Sequence, residues 1–280
     1  MTTGTATGQF VQVGPFRAHY LRVGEGPAVI LLHGLGGSCQ WWQPNLASLG
    51  QHHAVYAVDI PGHGVTDKPH VHYNLPLGRS FLLDFMAVTG IERATLVGHS
   101  TGGLIALDFA LAHPDSVNRL VLVDSAGLGR EMALFLRLMT LPAIGELLSW
   151  PHRPFLTAFL SQLFHDRSFI TDELVDQVHQ ERNAPGFRHA LLHILRYGAG
   201  LRGLKDHVLL RERLPLVKAP LLVLWGEQDR ILPATHARAV TRLLPSARVH
   251  IFPTCGHAPN WEKAEDFNRI VVGFLNGYEG

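Results

Sequence analysis

The run Gly98-His99-Ser100-Thr101-Gly102 sets a serine between two glycines. It follows the apolar residues 94–97 and precedes the helix-like stretch 103–112. A G-x-S-x-G turn between a strand and a helix is a nucleophile elbow. It holds the serine hydroxyl at the C-terminal end of a sheet, over a helix N-terminus. Serine at its ordinary pKa is a poor nucleophile and needs a base within hydrogen-bond reach. That base, a histidine, needs a carboxylate to hold its tautomer. Two later loops supply both: Trp225-Gly226-Glu227-Gln228-Asp229-Arg230 and Pro253-Thr254-Cys255-Gly256-His257 each follow an apolar run. Ser100, Asp229 and His257 then come in the order this chemistry uses on a parallel sheet. Alone, each has a bland reading as turn serine, helix-capping aspartate or loop histidine. Together, each after its own strand, they read as nucleophile, orienting acid and base.

Other acids compete for the third place. Asp124 also follows a strand, and Glu227 lies two residues from Asp229. Asp59, in Asp59-Ile60-Pro61-Gly62-His63-Gly64, is expected to fix its own loop. His99 sits inside the elbow, with its ring expected to point away from the reacting carbonyl. Acyl transfer also needs donors for an oxyanion. The glycine-rich Leu32-His33-Gly34-Leu35-Gly36-Gly37 can aim backbone N–H groups at one point. The expected donors are the N–H groups of Leu35 and Thr101. This loop lacks the Lys and Ser/Thr of a phosphate loop and the G-x-G-x-x-G spacing of a dinucleotide site. His63, His70, His72 and the pair His52-His53 form no recognisable metal set with acids or cysteines. Neither a metal nor a cofactor is expected.

The elements that must carry these loops are legible as periodicity. Residues 10–13 and 17–21 read as a hairpin around Gly14-Pro15. Apolar runs at 28–32, 54–58, 94–97, 119–123, 221–225 and 248–252 read as strands, most of them buried on both faces. Helical stretches fall at 40–49, 79–89, 103–112, 234–244 and 264–275. The expectation is an α/β fold: a mostly parallel, eight-stranded sheet with helices on both faces. From 127 to 214 no clear buried strand appears. Leu134, Leu138 and Leu141, then Phe155, Phe159 and Leu163, then Leu191, Leu192 and Leu195 recur at helical spacing instead. The predicted organisation is a core of residues 1–126 and 215–280 with a helical cap, 127–214, over the serine.

Composition agrees with a globular enzyme. Of 280 residues, 46% are apolar and 17% charged, with a formal net charge of +1. That near balance gives no reason to expect a nucleic acid or a charged membrane as partner. No apolar run is long enough for a membrane helix. Residues 1–9 are polar, without a basic start or an apolar signal core. The two cysteines, Cys39 and Cys255, read as buried thiols, so a cytoplasmic location is expected. The oligomeric state, monomer or dimer, is left open.

Taken together, His33-Gly34-Leu35-Gly36, residues 59–64, 98–103 and 226–229, and Gly256-His257 resemble the α/β-hydrolase fold family over nearly the whole chain. The resemblance implies the triad and oxyanion roles already given. Serine at 100 sets the chain apart from the dehalogenases and epoxide hydrolases of that fold. Two branches are similar: carboxylesterases with related lipases, and hydrolases that cleave carbon–carbon bonds in ring-fission products. Residues 164–171 and Cys255-Gly256-His257 with Asn260-Trp261-Glu262 look like the second branch. The chain departs from it at Ala258, where tryptophan is common, and in a less glycine-rich oxyanion loop. That branch also implies a cap arginine for the substrate carboxylate, with Arg182, Arg188 and Arg196 as candidates. The leading expectation is hydrolysis of small to medium apolar carboxylic esters through an acyl-enzyme on Ser100. Carbon–carbon hydrolysis is the alternative, and a non-catalytic ligand-binding protein is the alternative of another class. Leu35, Met132, Phe135, Leu138, Met139 and Ala258, with Leu134 nearby, are expected to line the pocket. Ser100→Ala should reduce turnover by about 10⁴–10⁶-fold with the fold retained; residual activity within tenfold of the parent would remove Ser100 from the mechanism.

Overall fold

Apolar runs that alternate between two cores build the centre of the molecule. The computed structural model describes residues 6–277. An antiparallel hairpin of β1 (Thr7–Val13) and β2 (Phe16–Val23) opens the chain. There follow β3 (Ala28–Leu32), α1 (Gln43–Leu49), β4 (Ala54–Val58), α2 (Leu75–Val88), β5 (Ala94–His99), α3 (Thr101–Ala112) and β6 (Val117–Val123). A helical insertion comes next: α4 (Leu134–Met139), α5 (Ile144–Leu148), α6 (Arg153–Leu163), α7 (Asp172–Arg182) and α8 (Phe187–Gly198). It ends in a short ladder of β7 (Ala199–Gly200) and β8 (Gly203–Leu204). The chain then returns through β9 (Leu221–Gly226), α9 (Thr235–Leu243), β10 (Arg248–Phe252), α10 (Pro259–Glu262) and α11 (Ala264–Leu275).

The sheet has eight strands in the order β1-β2-β4-β3-β5-β6-β9-β10. Only the β1–β2 and β2–β4 pairs are antiparallel. Successive side chains of a strand point to opposite faces. Ile30, Leu32, Leu96 and Leu122 accordingly join one core, with α2, α3 and α9. Val29, Leu31, Val97 and Val121 join the other, with Trp42, Leu46, Phe267 and Val271. Each such side chain contributes about 1.5–3 kcal/mol by burial. This two-sided burial is what makes the strands read as continuous apolar runs.

Two local differences from the expected elements have clear causes. Helix α2 begins at Leu75 instead of near 79, because the Asn74 side chain accepts from the Leu77 N–H at 2.8 Å. Pro76 occupies the first turn, where its missing N–H does no harm. The insertion also contains the β7–β8 ladder, too short to leave a periodic trace. Leu134 and Phe155, part of the helical periodicity, are exposed.

Three histidines are wholly enclosed, and this sets a pH response. His33, His63 and His99 are buried, and burial holds each below the ordinary histidine value, His63 at about 3. Unfolded, each would take up a proton near pH ~6.5. Below that pH the unfolded chain therefore binds protons the folded chain refuses, and stability falls as pH is lowered. The melting temperature should drop steadily from pH 7 to 5, and less steeply for His63→Gln. A flat profile would contradict the enclosure of these rings.

Candidate active site

Ser100 is the single residue between β5 and α3. Its backbone is held at φ 54°, ψ −115°, a region that costs an ordinary residue about 1–3 kcal/mol. Ties to β6 and the segment after it hold it there: the Ser100 N–H donates to the Val123 carbonyl at 2.9 Å, and its carbonyl accepts from the Ala126 N–H at 3.0 Å. The flanking glycines are required by contact. A Cβ at Gly98 would lie 2.4 Å from the Gly102 carbonyl oxygen, and one at Gly102 would lie 2.3 Å from that of Leu32. Among the described residues the Ser100 hydroxyl has no hydrogen-bond partner, and Ser100 lines the cavity above it.

His257 faces the same cavity. Its Nδ1 lies 2.7 Å from Asp229 Oδ2, and both side chains are buried. The other Asp229 oxygen accepts from the N–H groups of Ile231 (2.7 Å) and Leu232 (3.0 Å). A carboxylate so fixed accepts a hydrogen bond from Nδ1–H and leaves Nε2 free as acceptor for a serine proton. The His257 loop is tied down at three points. Its N–H donates to the Leu163 carbonyl at 2.6 Å, its carbonyl accepts from His99 Nε2 at 2.8 Å, and Gly256 N–H donates to Glu262 at 2.7 Å. His99 thus supports the loop from below, stacked on Trp41 with ring centroids 5.4 Å apart. Its ring also reaches the cavity wall. Burial and the neighbouring His257 keep it well below the ordinary value, and therefore neutral.

The remaining acids separate by position. Asp124 is buried, with one oxygen accepting from the Gly226 N–H at 2.9 Å. Burial, and next the negative charge of Asp229, push its carboxyl well above the usual range. It is a close neighbour of the Asp229–His257 pair. Glu227 faces outward, within 3.4 Å of Arg238. Asp59 accepts from the Cys39 N–H at 2.6 Å, the Val65 N–H at 2.9 Å and His19 at 2.8 Å, which fixes its loop. His19, Cys39 and Asp59 converge, as do His99, Asp124 and His257. Neither trio suits a metal. Burial pushes the Cys39 thiol far up, and the His99 and His257 nitrogens nearest these acids are already engaged.

Leu35 and Thr101 present backbone N–H groups without an acceptor among the described residues. Two cavities meet at Ser100 and Leu35. The larger, about 590 Å³, is lined by Phe135, Leu138 and Met139, with Leu134 and Phe155 at its wall. The smaller, about 110 Å³, is lined by Thr101, Met132, Ile105 and Tyr73. Ala258, expected in the pocket, lines neither; it is fully buried at the start of α10, where its carbonyl accepts from Trp261 and Glu262. Of the three candidate arginines only Arg182 reaches a cavity. Arg196 pairs with Glu146, and Arg188 lies over the Trp150 ring at 4.6 Å.

Glu262 had no role from sequence pattern alone. One of its oxygens holds Gly256, and the other accepts from the N–H groups of His165 and Asp166, both at 2.8 Å. It therefore joins the His257 loop to the end of α6. Gln228 acts similarly, accepting from the Cys255 N–H at 2.9 Å. Neither leaves a local signal, because their partners are backbone N–H groups, which almost any residue supplies.

A strand–Ser–helix elbow under a helical insertion defines an α/β-hydrolase, and residues 27–264 match the alpha/beta hydrolase fold family. The chain belongs to that family. It is 33% identical to a 2-hydroxy-6-oxononadienedioate/2-hydroxy-6-oxononatrienedioate hydrolase of Comamonas testosteroni, across 97% of each chain. Among solved structures it resembles a meta-cleavage product hydrolase from Pseudomonas fluorescens IP01, with TM-score 0.84, 27% identity, and 97% and 98% of the two chains covered. A bacterial membrane phospholipase A is similar too, at TM-score 0.84 and 28% identity, with 98% of this chain and 86% of that one covered.

The two acids should respond differently to amidation. Asp229→Asn should lower turnover by about 10⁴-fold, since His257 would lose its orienting acceptor. Asp124→Asn, which keeps an acceptor for the Gly226 N–H, should stay within about tenfold. The reverse order would give the orienting role to Asp124.

Proposed function

We propose that this chain hydrolyses a carbon–carbon bond next to a ketone in an apolar substrate that carries a carboxylate, the class its named relatives act on. The observation that carries this reading is Arg182. Its guanidinium is buried at the wall of the larger cavity, and among the described residues it has no hydrogen bond and no ion pair. The Phe159 ring lies 4.2 Å from its central carbon. The adjacent Glu181 spends an oxygen on Ser38 (2.7 Å) and Gln177 (3.2 Å). Burial lowers the Arg182 pKa to about 10, so it remains charged at neutral pH. The neighbouring Glu181 charge offsets its burial only in part, and a buried charge without a hydrogen-bonded partner costs several kcal/mol. A carboxylate on the substrate offsets that cost and gives the large apolar cavity an orientation.

In this reading residues 127–214 act as the cap. Arg182 anchors the acid end in the larger cavity, and the other side of the scissile carbonyl enters the smaller one. Ser100 Oγ attacks the ketone carbon as His257 Nε2 takes its proton. The Leu35 and Thr101 N–H groups hold the oxyanion, each worth roughly 3–4 kcal/mol in such a site. Collapse breaks the carbon–carbon bond, and its electrons pass into the conjugated keto acid. That leaving carbon takes the proton from His257. Water, deprotonated by His257, then frees the acyl group from Ser100 as a carboxylic acid. Two free, buried thiols suit a reducing cytoplasm.

Ester hydrolysis is the second reading. It needs the same acyl-enzyme and no anion site, and the cavity's Leu, Phe and Met lining together with the phospholipase likeness favours it. Side-by-side assays of 2-hydroxy-6-oxo-6-phenylhexa-2,4-dienoate and p-nitrophenyl esters separate the two. Dienoate loss is expected, with KM raised about 10²-fold by Arg182→Met while ester kcat/KM stays within threefold. Rapid ester turnover without dienoate loss would move the assignment to the esterase reading.

A further inference from the structure

His257 hangs from the edge of the sheet. Its loop follows β10, the last strand, which pairs only with β9 among the described residues. No strand therefore braces the loop on its far side. Within it, Thr254 is held at φ 49°, in the left-handed region that ordinary residues avoid. On the sheet side Gln228 and Cys255 exchange two hydrogen bonds: the Cys255 N–H donates to Gln228 Oε1 at 2.9 Å, and the Gln228 N–H to the Cys255 carbonyl at 2.8 Å. The next two N–H groups of the loop leave the sheet. Gly256 donates to Glu262 Oε1 at 2.7 Å, and His257 to the carbonyl of Leu163, the last residue of α6, at 2.6 Å. The contact with the insertion is close. A Cβ at Gly256 would lie 2.4 Å from the Leu163 carbonyl oxygen and 2.7 Å from the His165 nitrogen. The second Glu262 oxygen closes the link by accepting from the N–H groups of His165 and Asp166, each at 2.8 Å.

We propose that Glu262 is a positioning residue for the base. Its carboxylate fixes the His257 loop against the end of α6, so the insertion and the sheet together set where His257 stands beside Ser100. A carboxylate suits three donors, because both oxygens accept and neither donates. An amide of the same size has one acceptor oxygen and must turn its NH₂ toward the N–H groups on one side. The end of α6 is itself held firmly. Phe164 is fully buried against Trp41 and Trp261, with ring centroids 6.0 and 6.2 Å away. Leu156, Phe159, Leu160 and Leu163 of α6 line the larger cavity. The wall that a substrate touches and the base that serves it are thus joined through one carboxylate. Misplacing a reacting group by about 1 Å can cost roughly 10²-fold in rate. The inference rests on the Ser100–His257 pair, which carbon–carbon and ester hydrolysis share.

The test compares the parent with Glu262→Gln and Glu262→Ala, well below their melting temperatures and with circular dichroism to check folding. An alkyl fluorophosphonate reports on the base directly, since His257 must take the Ser100 proton as the phosphonate displaces fluoride. Mass spectrometry locates the label. Labelling of Ser100 should slow at least about tenfold in Glu262→Gln and about 10²-fold in Glu262→Ala. On the substrate that the parent turns over, kcat should fall in step while KM stays within about threefold. Should Glu262→Ala fail to fold, the isosteric Gln variant decides alone. A lowered melting temperature with parent-like labelling and kcat would leave Glu262 a structural contact only and overturn the proposal. A raised KM at unchanged kcat would place its effect in the cavity and overturn it as well. A parent that is not labelled at Ser100 would remove the base that Glu262 is held to position. Labelling does not depend on the carbonyl substrate, so failure of the dienoate assay would strike the carbon–carbon reading and leave this result standing.

Discussion

The close approach of three backbones at the elbow governs the rest of the architecture. β5 delivers Ser100 in the middle of the sheet, and α3 leaves it within one residue. That turn exists only because the neighbouring carbonyls of Leu32 and Gly102 meet no Cβ at Gly102 and Gly98. Its strain is carried by β6 and the segment after it, through the Val123 and Ala126 bonds. The same crowding puts the Thr101 N–H beside the serine and brings the β3 loop with Leu35 to the same point. The placing of the Ser100 hydroxyl and of the Leu35 and Thr101 N–H groups is therefore a consequence of one packing constraint, and loosening it would lose all of them together.

Electrostatics at the next loop rest on asymmetry between two acids. Asp124 and Asp229 come from adjacent parallel strands, so their carboxyls must be neighbours. Two like charges in a buried site cannot both persist. Asp229 receives two backbone N–H donors and His257, whereas Asp124 receives one donor. Burial and the neighbouring Asp229 push the Asp124 carboxyl up, while Asp229 holds His257 Nδ1.

How much of this could be read from the chain depends on whether its cause is local. The central strands are legible because two-sided burial makes each a continuous apolar run, and the hairpin because Gly14-Pro15 marks its turn. Ser100, Asp229 and His257 are legible because strand, tight turn and small residues recur beside each. The start of α2 needed Asn74 to be read as a cap, a side-chain contact that competes with many similar asparagines. Arg182 could not be told from Arg188 and Arg196, since all three lie on amphipathic helices and only tertiary packing buries one of them. Ala258 was misplaced for a related reason: closeness to His257 in sequence put it near the site, but the turn into α10 directs it inward.

The cavity itself argues for a particular kind of selectivity. An apolar wall of Leu, Phe and Met binds almost any hydrophobic acyl chain, and one methylene changes affinity by only about tenfold or little more. A buried, unpaired guanidinium behaves differently. Substrates without an anion leave it uncompensated, so they lose far more than the missing contact would suggest. In the proposed reading Arg182 converts a permissive pocket into one that discriminates by charge, while the cavity's apolar walls supply most of the binding area. Within the described structure that charge meets only the Phe159 ring and the neighbouring Glu181, and no hydrogen bond holds it. Its presence in the wall is best explained by a ligand that brings the opposite charge with it.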